Sequence, residues 1–116
     1  MDNWDVAADA LLLGEGAVAV EVPASWAGEV SHQLTFAGPL GPILAIAGHR
    51  TRWLFLASSE PAPVQRYVLP PEVRCWDGPR RIETGQLRWV VQPGHSALPS
   101  VGAVRCAIRT VRRALV

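Results

Sequence analysis

The residues of this chain best suited to chemistry are its arginines. All eleven basic residues are arginine, lysine is absent, and every arginine lies after Gly48. Residues 1–49 hold Asp2, Asp5, Asp9, Glu15, Glu21 and Glu29 with no Lys or Arg, a formal charge of −6; residues 50–116 set eleven Arg against Glu60, Glu72, Asp77 and Glu83, a charge of +7. The net charge of +1 conceals this division. A guanidinium presents a planar fork of donors that fits phosphate or carboxylate in a bidentate way, so clustered arginines form a surface for nucleic acid or for an acidic protein. The candidates for such a surface are Arg50, Arg52, Arg80, Arg81, Arg88, Arg105, Arg109, Arg112 and Arg113. Two plainer explanations stand beside that one. A GC-rich coding sequence disfavours lysine codons, and Arg stems commonly lie over the edge of a core with their heads in water.

Other chemistries are poorly served. His32, His49 and His95 show no ligand spacing among themselves or with Cys75 and Cys106, which argues against zinc. The two cysteines make neither a disulfide framework nor a CxxC pair, and read as packing thiols of a reduced, cytosolic protein. Ser96 beside His95 lacks any visible orienting acid. The stretch from Gly38 to Gly41 has no Walker lysine and no following helix, so it is not a phosphate loop. No cofactor pattern is present, and the acidic, Gly-interrupted N-terminus fits neither a signal peptide nor a membrane span.

The elements that must position these groups follow from apolar spacing. With 116 residues and 49% apolar composition, one α+β domain is expected, with a mixed central sheet of about five strands, N-terminal helices and a C-terminal helix packed on the sheet. A first helix capped by Asn3 or Asp2 is predicted to run to about Leu13, with Trp4, Ala8, Leu11 and Leu12 on one side. Ala17 to Val22 reads as a buried strand closed by Pro23. Trp26, Val30 and Leu34 recur at four-residue steps, marking the inner face of a second helix. Ile43 to Ala47 and Trp53 to Ala57 are apolar throughout and flank Gly48, His49 and Arg50, the pattern of a hairpin of central strands covered on both faces. Residues 58–71 carry four prolines and predict no regular element. Short strands follow at Val73 to Trp76, Arg80 to Glu83 and Leu87 to Gln92.

From Ser100, the residues Val101, Val104, Ile108, Val111 and Leu115 recur at three- and four-residue steps and define the clearest helix. On its wheel Arg105 and Arg112 fall beside the apolar stripe, Arg109 lies further round on the same side, and Arg113 is nearly opposite. Trp53, Trp76 and Trp89 are either stacking platforms for bases or core residues, and their places in strands favour the core for at least two.

The stretches VEVPASWAGEV, GPLGPILAIAGHRTRWLFLAS, and LRWVVQP followed by ALPS and a closing helix together resemble shortened, GC-rich bacterial relatives of the bifunctional DNA primase/polymerase domain. The resemblance spans about Val20 to Leu115. It implies that a polymerising member would carry paired metal-holding carboxylates on the strand here read AVAVEV, and a histidine on the later strand here read RTRWLFLAS. Only Glu21 is acidic on the first, and Arg52 and Trp53 stand where the histidine is expected. The resemblance therefore implies a scaffold without nucleotidyl transfer. The expected function is a non-catalytic, primase/polymerase-like binding protein whose Arg-rich half meets nucleic acid or an acidic protein; the alternative is a homo-oligomeric interaction module, with a homodimer formed between acidic and basic halves and no membrane partner.

Overall fold

The computed structural model describes residues 3–38, 40–47, 51–60, 69–94 and 97–115. Strands β1 (Trp4–Val6), β2 (Ala10–Leu13) and β3 (Ala17–Pro23) lead into helix α1 (Ala24–Ala37). Strands β4 (Ile43–Ile46), β5 (Arg52–Ser58), β6 (Arg74–Asp77), β7 (Arg80–Glu83) and β8 (Leu87–Val91) follow, and helix α2 (Val101–Leu115) closes the chain. The architecture is α+β, with α2 packed on the sheet as expected.

Five strands form the central sheet in the order β6-β3-β5-β4-β8, with every neighbouring pair antiparallel. The sheet is thus not mixed: α1 carries the chain over from β3 to β4, which run the same way, but β5 is inserted between them and pairs antiparallel with both. β3 alternates strictly. Val18, Val20 and Val22 face the helices and join Ala27, Val30 and Leu34 of α1, Phe55 of β5, and Val101, Val104, Ile108 and Val111 of α2. Ala17 and Ala19 face the other way, with Leu44, Leu54 and Leu56, against Leu11, Leu13 and Ile82 of a second sheet. Burial on both faces explains why β3, β4 and β5 are apolar at nearly every position. The hairpin strands β4 and β5 pair as expected, while Gly48, His49 and Arg50 lie outside the described residues.

The second sheet, in the order β1-β2-β7, replaces the helix expected at the N-terminus. Leu11 and Leu13 turn inward while Leu12 is half-buried, an alternation with period two that tertiary pairing selects over the helical spacing. β2 pairs with β7 and β3 pairs with β6, with Leu13 opposite Arg80 and Val18 opposite Asp77. The two sheets are therefore one long ribbon, bent where Gly14–Gly16 passes Gly78–Pro79 and folded back on itself. Gly16 takes φ +83°, a left-handed backbone that favours glycine.

α2 is well begun and well ended. Ser100 Oγ accepts the Ala103 N–H at 3.1 Å, and a Glu60 carboxylate oxygen accepts the Gly102 N–H at 3.2 Å. A carboxylate at the first turn and Arg112 and Arg113 in the last both complement the helix dipole.

Candidate functional site

The arginines of α2 lie on one flank. At about 100° per residue, Arg112, Arg105, Arg109 and Arg113 follow one another within an arc of about 100° that starts at the edge of the buried stripe of Val101, Val104, Ile108 and Val111 and ends nearly opposite it. α2 contains no acidic residue. Arg105 shows which way the flank points: its guanidinium lies 4.0 Å from the sulfur of Cys75 on β6, the outer strand of the central sheet. Its Nε is buried and has no hydrogen-bond partner among the described residues. Arg109, Arg112 and Arg113 are exposed further along the helix. Arg74, also exposed, stands on β6 itself, directly across from Glu21 of β3. Arg74 therefore shares the Glu21 face of the sheet, which meets the second sheet, and not the face that α2 covers, so the helix flank alone makes the arginine-rich margin.

The remaining arginines named from sequence are dispersed. Arg52 turns inward, its guanidinium 2.5 Å from a carboxylate oxygen of Glu21, which is 6% exposed. Arg80 stacks over Trp76, 4.7 Å from the ring centre. Arg81 bonds Glu83 at 2.6 Å and lies 3.7 Å from Asp9, so it is neutralised on the small sheet. Arg88 is exposed on β8, at the far edge of the central sheet from β6. Arg50 lies outside the described residues.

The strand tryptophans are committed to cores. Trp53 packs among the valines beneath the helices, and Trp76 and Trp89 pack between the sheets, where Trp4 meets Trp89 edge-on at 6.0 Å. This settles the choice between platform and core for all three strand tryptophans. His32 is exposed on α1 and lies edge-on to Phe36, whereas His49, His95 and Ser96 lie outside the described residues. Among the described residues, no three His, Cys, Asp or Glu side chains gather as metal ligands.

Two features escaped the sequence. The Glu21–Arg52 pair had one local sign, a carboxylate within an apolar strand, because a buried charge requires a cation beside it. Arg74 had none; only the pairing of β6 with β3 gives it significance.

Cys75 and Cys106 are both free. Burial pushes the Cys75 thiol up, opposed by the hydrogen bond and charge of Arg105, with Asp77 adding a smaller upward push. Cys106 is exposed on α2. Iodoacetamide at mildly alkaline pH is expected to modify Cys106 first and Cys75 about tenfold more slowly, followed by mass spectrometry, because the reactive species is an accessible thiolate. The sign for stability follows from the same shift. A thiol raised in the folded state contributes fully below its unfolded value, and that contribution is lost as pH rises from there through the folded value.

No helix among the described residues is long and apolar enough to cross a membrane. Compared with protein-family models, with curated proteins and with solved structures, the chain matches none.

Proposed function

We propose that the protein is a non-catalytic, primase/polymerase-like binding protein that holds the phosphate backbone of nucleic acid along the margin formed by the α2 flank. The observation that carries this reading is the arc of Arg105, Arg109, Arg112 and Arg113 on a helix without a single carboxylate, with Arg105 reaching Cys75 on β6. A net charge of +1 gives little long-range attraction, so affinity rests on this local stripe. Among the described residues the strand tryptophans are engaged in cores and not on this margin, and a surface that touches phosphates alone carries no base sequence information. Support for a non-catalytic role comes from Glu21. The lone carboxylate of β3, on the strand where polymerising relatives would hold metals, is already bound to Arg52.

The test is binding to a short DNA duplex over a salt series, followed by fluorescence anisotropy. Four phosphate contacts at about −0.9 each predict a slope of about −3 to −4 in log K against log salt, with duplex bound at least as tightly as single strand. The double change Arg105→Glu with Arg109→Glu is expected to weaken binding at low salt by more than about tenfold and to flatten that slope by about two. Binding that is absent or indifferent to salt overturns the reading. Displacement of DNA by a poly-glutamate peptide at lower concentration than by unlabelled duplex overturns it in favour of an acidic protein surface.

A further inference from the structure

A second surface lies away from the α2 flank, where β3 runs into α1. Pro23, Ala24, Ser25, Trp26, Thr51, Arg52 and Glu72 line a cleft of about 640 Å³, within the range of about 300–1,000 Å³ common to small-molecule sites. The Ala24 N–H donates to the Thr51 carbonyl at 3.0 Å, so the two sides of the cleft are tied together by backbone. Pro23 and the half-buried Trp26 give it an apolar wall.

Its charges are arranged unusually. Arg52 and Glu72 line the same cleft, yet they are not paired with each other. Among the described residues Glu72 has no ion-pair or hydrogen-bond partner, and Arg52 bonds only Glu21. A guanidinium has five N–H donors, and Glu21 occupies a part of that set, while the Arg52 side chain remains 32% exposed. Glu21 matches the charge of Arg52, which keeps further N–H donors to turn toward the cleft it lines. The cleft therefore presents a held guanidinium with N–H donors to spare and a separate, unpaired carboxylate beside an apolar wall.

We propose that this cleft binds a small zwitterion of the α-amino-acid type, with its carboxylate on Arg52, its ammonium on Glu72 and an apolar side chain against Pro23 and Trp26. The buried Glu21 holds Arg52 in place before the ligand arrives, which lowers the ordering cost of binding. Ser25 and Thr51 hydroxyls supply neutral hydrogen bonds at the rim. A plain anion gains nothing from Glu72 and a plain cation nothing from Arg52, so the selectivity is for both charges on one small molecule.

The experiment is a ¹⁵N–¹H NMR titration of the full chain with L-phenylalanine, N-acetyl-L-phenylalanine and L-phenylalaninamide. L-phenylalanine is expected to give saturating shifts at the Ser25, Trp26 and Thr51 amides, with a dissociation constant on the order of 1 mM. The acetylated and amidated analogues, each missing one charge, should bind about tenfold more weakly. Glu72→Gln, a change at an exposed residue that leaves the fold intact, should weaken L-phenylalanine about tenfold and leave N-acetyl-L-phenylalanine unchanged. Equal binding of phenylalanine and its acetylated form overturns the proposal, as does the absence of saturation below about 20 mM. The Arg105→Glu, Arg109→Glu variant, which tests the α2 margin, should bind phenylalanine as the parent does, so the two sites fail or succeed separately.

Discussion

Replacing Arg52 by alanine is expected to destabilise the fold by about 3 kcal/mol, more than replacing Arg52 and Glu21 together. The Glu21 carboxylate is buried on the face of β3 that meets the second sheet, among Ala19, Leu54 and the base of β6. Its charge is satisfied by the Arg52 guanidinium at 2.5 Å. Without that cation the carboxylate keeps its desolvation cost and loses its compensating bond, and Arg74 across the ladder is exposed and recovers only a part of it. The value stands at the lower end for a broken buried pair because the Arg52 side chain is 32% exposed and water reaches the gap. Removing both charges, as Glu21→Val with Arg52→Met, leaves an apolar strand position of similar volume, which is expected to lie within about 1 kcal/mol of the parent. Urea unfolding of the parent, both single variants and the double variant measures the coupling directly. A loss below about 1 kcal/mol for Arg52→Ala would show that solvent or Arg74 already serves Glu21.

The same pair marks where sequence reading stops. β3, β4, β5 and α2 were legible because their patterns are local and long: unbroken apolar runs between Gly and Pro, and an apolar stripe sustained from Val101 to Val111. The arginine flank of α2 was legible for the same reason, since a helix converts spacing into direction. The N-terminal segment was not. Trp4, Ala8, Leu11 and Leu12 fit a helix as well as Leu11 and Leu13 fit a strand, and a short apolar run does not distinguish them. What decides is β7, seventy residues later, whose backbone pairs with β2, together with the Asn3 carbonyl that accepts the Gly14 N–H at 2.6 Å. The sites differ in the same way. Arg52 and Arg88 are alike in sequence, each early in a strand, but one faces a buried carboxylate and the other faces solvent at the opposite half of the sheet. Arg74 comes to stand across from Glu21 only because β6 pairs with β3 at the edge. Sheet order is set by contacts between segments far apart in sequence, and no local pattern encodes it.

Gly78→Ala is expected to be the most damaging substitution of a small residue, costing about 3 kcal/mol or more. The ribbon of β2–β3 against β6–β7 folds back on itself where Gly78 passes Gly14, and a methyl group at Gly78 would collide with the Gly14 carbonyl and stand 3.1 Å from Leu13 Cβ. Both obstacles are held by the ribbon. The Gly78 N–H donates to the Ala17 carbonyl at 2.9 Å, and the Ala17 N–H donates to the Gly14 carbonyl at 3.2 Å, so neither strand can retreat without breaking a backbone hydrogen bond. A flexible side chain would yield to the added methyl; a carbonyl in this position cannot. Two other glycines serve as controls. Gly85→Ala meets open space but requires a non-glycine residue at φ +72°, and is expected to cost about 1 kcal/mol. Gly94→Ala meets open space with no positive φ, and should change stability by less than about 0.5 kcal/mol. Urea midpoints ranked Gly94→Ala, Gly85→Ala, Gly78→Ala in order of increasing loss confirm that the bend rests on close approach of backbones. If Gly78→Ala falls beside Gly85→Ala, the two sheets can slide apart at that point, and the pinned contact between Ala17, Gly14 and Gly78 is not what holds them together.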